Sequence, residues 1–458
     1  MSETNIKDTN YLTTQPIFGA LMKLAMPIMA SSFFMMLYNI TDMFWIGKLG
    51  SSAVAGVGTG GMFTWIAQGL PVLARMGGQV KMAQCIGAGE KSRAAVYGRA
   101  ALKLTAWFAV LFGVIVMCFA PQMISLFAVP DKVTNDYAVM YLRITGTLAG
   151  FQFFAFVFNG LFTASGDSRV PFAASVTGLA ANMILDPCLV LGIGFFPSMG
   201  VAGAAIATVT AQVLSLAVYL VVLFARMKGH DRDILYVQPG TGRQGVYRDI
   251  LKIGVPSALQ TTLYAFFSSV LARLTAPYGA GAIAVSRLGG QIESITWNAA
   301  DGFSAAMNSF TGQNYGAHKF ERIRKGYRIS FISMVTWGLA VTGLFLIFPE
   351  PLSRLFFFEK DVIDISVSYF RVVGLAEAFM AVELMSSGSI AGFGETRVSS
   401  IISIVLTGAR IPIALILGKM GLGYYSIWWA FMSTSTLKGI VLWIAFHVVC
   451  TRKEKQAL

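Results

Sequence analysis

Asp42 and Asp186 each interrupt an apolar stretch of membrane length, FFMMLYNITDMFWIG at 33–47 and GLAANMILDPCLVLGIG at 178–194. A carboxylate at the centre of a membrane-spanning helix costs on the order of 3 kcal/mol or more. It persists there when it is protonated, paired or holding a cation, so by default it marks an ion or substrate pathway. Asn182 lies one helical turn before Asp186 and shares its face. Pro187 has no N–H, which leaves the Met183 carbonyl without its usual helical donor. Asp42 is 15 residues past Pro27, Asp186 is 15 past Pro171, and Thr208 follows Gly200 by eight on the returning segment. Those offsets put Asp42, Asn182, Asp186 and Thr208 at one depth: two carboxylates, an amide and a hydroxyl. Neighbouring carboxylates repel and burial disfavours charge on either, so the set suits reversible proton uptake. The same oxygens suit Na⁺. The structural alternative is that each acid caps a broken helix or pairs with an arginine such as Arg143.

A second group of acids falls late in the chain. Glu293 and Asp301 are eight apart, roughly on one helical face, while Glu377 and Glu383 are six apart and point to different faces. Arg287, Arg371 and Arg410 are available as partners, so internal salt bridges and cargo binding both stay open. Glu293 lies beside Gln291 and just before Trp297 and Asn298, a carboxylate with an aromatic neighbour, which an organic cation favours. The run FQFFAFVF at 151–158 reads first as packing, with a pocket wall as the alternative.

Of the 458 residues 55% are hydrophobic and only 12% charged, against about 25% in an ordinary soluble domain. The apolar residues come in runs of about 20, enough helix to cross a hydrocarbon core about 30 Å thick. Twelve spans are expected, at 17–47, 53–74, 100–120, 137–163, 170–195, 201–226, 251–275, 283–311, 328–348, 366–391, 399–418 and 424–449. With a cytoplasmic amino terminus, 24 of the 35 Lys and Arg residues fall inside, five outside and six within spans. Both termini are therefore expected in the cytoplasm. The polar first 15 residues do not read as a signal peptide.

Several function classes drop out. The net charge of +13 does not point to nucleic acid, because the basic residues sit in short loops between apolar runs. The four cysteines and three histidines are scattered, supporting neither a disulfide framework nor a zinc site. GAGEKS at 87–92 breaks the phosphate-loop pattern, since Glu90 separates Gly89 from Lys91. ATP therefore cannot drive this chain directly, no cofactor is expected, and no serine, histidine and aspartate spacing points to a hydrolase or other enzyme. The driving force is expected to be an H⁺ or Na⁺ gradient.

The second half repeats the first. A shift of 229 carries Lys23, Pro27, Gly50, Gly61, Gly87, Arg93 and Arg99 onto Lys252, Pro256, Gly279, Gly290, Gly316, Arg322 and Arg328. After a one-residue slip, Arg143 meets Arg371, Gly146 meets Gly374, and GDSRV at 166–170 meets GETRV at 394–398. Six spans per copy is even, so the copies are parallel repeats about an axis along the membrane normal. The expected fold is all-α and integral to the membrane, twelve transmembrane helices in two pseudo-symmetric six-helix lobes with a central cleft. Its parts are a cytoplasmic segment at 1–16, lobes at 17–226 and 251–450, a cytoplasmic linker at 227–250 and a tail at 451–458. The copies differ where the acids are: Asp42 aligns with Leu271, Asp186 with Ala414 and Asn182 with Arg410.

Across residues 15–450 the chain resembles the multidrug and toxic compound extrusion family of antiporters. The motifs that carry the likeness are KLAMPIMASS at 23–32, NITDMFWIGKLG at 39–50, QCIGAGEKSRA at 84–94, GDSRVP at 166–171, ANMILDP at 181–187 and GVAGAAIAT at 200–208, with the echo KIGVPSALQ at 252–260. The resemblance implies a V-shaped cleft and export of small organic cations or amphipathic drugs against inward H⁺ or Na⁺. It also implies a monomer in the bacterial inner membrane. Asp42 would carry the family's first-helix acid, Asn182 and Asp186 its fifth-helix pair, Thr208 a sixth-helix ligand and Pro27 the helix bend. Leu251–Thr275 holds no Asp or Glu, a departure from members with a seventh-helix acid. Lipid-linked or metabolite export within the same superfamily is the second reading.

Overall fold

Long apolar runs with few breakers favour helices, and Gly, Pro and polar clusters end them. A computed structural model of the chain describes residues 11–127, 131–194, 196–228 and 245–457. Among these residues all regular structure is helical: α1 (Tyr11–Thr14), α2 (Ile17–Gly47), α3 (Ser51–Ala67), α4 (Gly69–Gly87), α5 (Lys91–Ser125), α6 (Lys132–Thr147), α7 (Gly150–Ala164), α8 (Arg169–Leu191), α9 (Gly200–Lys228), α10 (Val246–Thr275), α11 (Ala280–Gly316), α12 (Phe320–Ile347), α13 (Pro349–Arg354), α14 (Lys360–Gly374), α15 (Glu377–Gly392), α16 (Thr396–Leu417) and α17 (Tyr425–Ala457). Residues 229–244 of the expected linker, residues 1–10 of the amino-terminal segment and Leu458 of the tail lie outside the described residues.

A helix or an adjoining helix pair stands at each of the twelve expected places. Among the described residues, seven helices (α2, α5, α8, α9, α12, α16 with its following turn, and α17) are long and apolar enough to cross a membrane. The number becomes nine if the bent pairs α6–α7 and α14–α15 each count as one span. The chain is thus a multi-pass membrane protein. The spans expected at 137–163 and 366–391 are each a bent helix pair, α6–α7 at 49° and α14–α15 at 48°. The helices α3–α4, α10 and α11 carry more polar residues, such as Arg75 and Lys81 in α4 and Glu293 and Asp301 in α11. Outward faces are apolar, with Trp107 76% and Met117 67% exposed on α5, as a hydrocarbon solvent requires.

Contacts divide the chain into two units. One is Ala30–Ala258, in which α8 packs along α9, α3 on α6, and α4 on α5 and α7. Small residues let membrane helices approach to backbone contact. A Cβ added at Gly203 of α9 would stand 2.3 Å from the Leu189 carbonyl oxygen of α8. One added at Gly178 of α8 would stand 2.9 Å from that of Ala211. Gly192 ends α8 in the left-handed conformation (φ 76°), which glycine adopts without strain. Val246 and Ile250 of α10 join the core that Met82, Tyr97 and Leu161 build, and the Tyr97 hydroxyl donates to Asp249 Oδ2 at 2.6 Å.

The other unit is Met1–Met29 with Leu259–Leu458. Here α15 packs on α11, α12 and α17, and α16 on α17. Gly388 of α15 meets the Ser304 carbonyl and Gly439 of α17 that of Phe379 at the same kind of close approach. Phe345, Tyr369, Phe370 and Trp428 form an aromatic core. Helix α1 docks by its carbonyls: Leu12 accepts from Asn314 Nδ2 at 3.1 Å and Arg322 Nε at 3.2 Å, and Thr13 accepts from Lys319 Nζ at 2.9 Å. Helices α2 and α10 change units after Met29 and after Ala258, two residues beyond Pro27 and Pro256.

Candidate functional site

Three helices of the Ala30–Ala258 unit bring the expected four residues together. Asp42 comes from α2, Asn182 and Asp186 from α8, and Thr208 from α9. The close α8–α9 crossing fixes their spacing, with the Gly178 contact on one side of the group and the Gly203 contact on the other. Asn182 and Asp186 are each 1% exposed, and Asp42 is half-buried. The carboxyls of Asp42 and Asp186 lie within hydrogen-bonding reach of each other. With its amide turned to satisfy both ends, Asn182 donates to Asp186 Oδ2 at 2.7 Å and accepts from the Thr208 N–H at 3.2 Å. Asp42 Oδ1 and Asp186 Oδ1 are buried and make no hydrogen bond to the described residues, while the Thr208 hydroxyl lies within reach of two phenols. A buried oxygen left so is costly unless something satisfies it, and a proton or a small cation does that.

Two residues at this place were not expected from sequence. The phenols of Tyr38 on α2 and Tyr141 on α6 stand beside Thr208 and within electrostatic reach of both acids. Tyr38 is one turn before Asp42, so the helical spacing in YNITD carried a signal. Tyr141 had none, because only packing brings α6 there. Arg143 is exposed on α6.

The late acids separate in the other unit. Glu293 of α11 is half-buried and accepts from the Tyr369 hydroxyl at 3.1 Å, whereas Asp301 lies exposed on the same helix. The two acids lie about two turns apart on α11 and differ in burial. Glu377 is buried beside Thr296 and near Glu293, and its Oε2 has no partner among the described residues. Glu383 pairs with Lys438 at 2.6 Å, both nearly fully buried. Its partner is thus a lysine of α17, not Arg287, Arg371 or Arg410. Arg410, the counterpart of Asn182, donates to the hydroxyls of Thr434 at 3.0 Å and Ser435 at 2.9 Å. Among the described residues no group of three or more His, Cys, Asp and Glu side chains is placed to hold a metal.

Comparison with known proteins follows the internal repeat. The MatE family profile matches residues 27–188 and again 256–416. The two matches begin 229 residues apart and end 228 apart, the same register and slip as the duplication. A probable multidrug resistance protein NorM from Thermotoga maritima is 31% identical over 439 residues, covering 92% of this chain and 90% of that protein. An FAD transporter from Shewanella oneidensis is 24% identical over 454 residues, covering 97% and 98%. The solved outward-facing structure of a multidrug resistance MATE family transporter shares the fold, with a TM-score of 0.90 at 23% identity over 99% of this chain and 100% of that one. Matched by the profile in both halves, the chain belongs to the MatE family, the multidrug and toxic compound extrusion transporters.

Proposed function

We propose that the protein is a secondary antiporter that exports organic cations or drugs from the cytoplasm in exchange for inward H⁺ or Na⁺. The observation that carries the reading is the convergence of Asp42, Asn182, Asp186 and Thr208 with one buried oxygen of each acid left without a hydrogen bond among the described residues. A hydrogen bond between two carboxyls needs a proton on one of them. That shared proton, or a Na⁺ between the oxygens, ties α2 to α8; its loss leaves two like charges that push α2 away. Because α2 continues past Pro27 into the other unit, the charge state at the site acts on a helix common to both. Pro27 is the residue at which that helix can bend, since proline removes one rung of its hydrogen-bond ladder.

The multidrug resistance names of the relatives support cargo of the drug class. The reading includes twelve spans in two six-helix lobes, 17–226 and 251–450, a monomer in the bacterial inner membrane, and both termini in the cytoplasm. Export of a metabolite is the second reading, favoured by the FAD transporter among the relatives and by the buried Lys438 and Arg410. On either reading Glu293, Glu377 and Glu383 are the acids proposed to meet cargo, and Glu383 lining a cavity supports this for that residue. Efflux of a fluorescent organic cation from proteoliposomes, with proton and sodium gradients imposed separately, tests the reading. Efflux driven by neither gradient, for a panel of cations and metabolites, would sink it.

A further inference from the structure

A cavity of about 160 Å³ lies within the unit that contains Leu259–Leu458, lined among others by Tyr264, Phe267, Trp297, Glu383 and Lys438. A closed cavity of about 150 Å³ accepts one benzene ring, and this one is open on a side, which leaves room for a short polar chain on the ring. The Tyr264 and Trp297 rings, 5.8 Å apart and tilted by 34°, offer apolar faces to such a ring. The cavity also reaches an ion pair, Lys438 Nζ to Glu383 Oε1 at 2.6 Å, buried on both sides. Arg410 adds a second buried cation close by. Its donors go to the hydroxyls of Thr434 and Ser435, its guanidinium stacks 4.3 Å from the Phe431 ring, and it makes no ion pair among the described residues. Glu293, held by Tyr369, is within electrostatic reach of both cations.

The charges decide what can enter. A cargo with only a cationic group that took Glu383 would displace Lys438 and leave it buried beside Arg410. A cargo with only an acidic group that took Lys438 would strand the Glu383 carboxylate. Either outcome leaves an uncompensated buried charge, the costly case for a broken ion pair. A molecule carrying both groups satisfies both partners at once. We propose that this cavity is a subsite for a small aromatic zwitterion, its ring against Tyr264 and Trp297, its ammonium on Glu383 and its acidic group on Lys438. The subsite narrows the cargo class of the transport reading and rests on that reading only for the molecule's being carried.

Calorimetric titration of the purified protein in lipid nanodiscs, with no ion gradient, tests it with three probes of one ring and chain length. They are phenylalanine, phenethylamine, which lacks the carboxylate, and 3-phenylpropanoate, which lacks the amine. Phenylalanine should bind more tightly than either of the others by about ten-fold or more. Glu383→Gln should bring 3-phenylpropanoate level with phenylalanine, and Lys438→Gln should do the same for phenethylamine. If a single variant fails to fold, the double variant Glu383→Gln/Lys438→Gln, which removes both charges, should lose the preference for phenylalanine. Undetectable phenylalanine binding, equal wild-type affinities, or a ranking untouched by these substitutions would overturn the subsite. The titration needs no gradient, so it stands apart from the antiport reading: gradient-driven efflux without this ranking would refute the subsite alone.

Discussion

Replacing Gly203 by alanine should displace the acid site through the helix crossing that holds it. The new Cβ would begin 2.3 Å from the Leu189 carbonyl oxygen, and ordinary contact starts at 3.4 Å, so α8 and α9 must part by about 1.1 Å there. The crossing is pinned at its other end where Gly178 meets Ala211, 11 residues along α8 from Leu189. With a uniform rise per residue, a pivot at Gly178 shifts α8 by about 0.4 Å at Asn182 and about 0.8 Å at Asp186. The contact between the Asn182 amide and the Thr208 N–H then lengthens from 3.2 Å to about 3.6 Å, beyond a good hydrogen bond. Overpacking of this kind costs about 1–3 kcal/mol, so the protein should still fold with a lowered melting temperature. Since misplacement by 1 Å costs about 10²-fold in positioned chemistry, gradient-driven export should fall about ten-fold. Gly58→Ala is the control, because a Cβ at Gly58 meets nothing within 4 Å. Melting temperature and initial export rate are compared for both variants in the same proteoliposomes. If Gly203→Ala matches Gly58→Ala in both measurements, the crossing does not set the site.

Other outcomes follow from the same geometry. Tyr141→Phe should keep the fold and shift the ion dependence of export, because the lost hydroxyl stands beside Thr208 and near both acids; an unchanged dependence would remove Tyr141 from the site. Lys438→Met should destabilise by about 3–5 kcal/mol by stranding buried Glu383, and adding Glu383→Gln should restore most of it, as read from melting curves. Arg322→Ala should expose the 11–15 segment to protease, since two of its carbonyls accept from that side chain; cleavage at the wild-type rate would count against the clamp.

Hydropathy alone located the helices, because hydrocarbon admits little else and runs of about 20 apolar residues carry the signal. It misjudged where helices end near charges. Helix α4 runs on to Gly87 through Arg75 and Lys81, and α5 starts at Lys91 instead of residue 100, because a charged helix end is polar and still helical. The bends at 147–150 and 374–377 were hidden, since apolar residues continue through both. At the acid site, one-turn spacing and depth counting from prolines and glycines were enough to gather residues on α2, α8 and α9. Tyr141 was out of reach because its helix, α6, joins them only by packing. Three arginines stood open as partners of the late acids, and packing supplied Glu383 with a lysine instead. Arginine is the usual buried partner, but Arg410 is turned to the hydroxyls of α17, and Lys438 on that helix faces the acid.

Asp42 and Asp186 are proposed as the ion-coupling pair. The most direct measurement of this role is export from proteoliposomes by Asp42→Asn and Asp186→Asn proteins, reconstituted at equal amounts, under proton and sodium gradients imposed separately. Each substitution removes a carboxylate that holds the proton or the Na⁺, and also removes a buried charge, so folding should survive. Both variants should lose gradient-driven export while still binding cargo. Full gradient-driven export by both would contradict that role, leaving the pair as structural acids and moving the coupling site to Glu293 and Glu377.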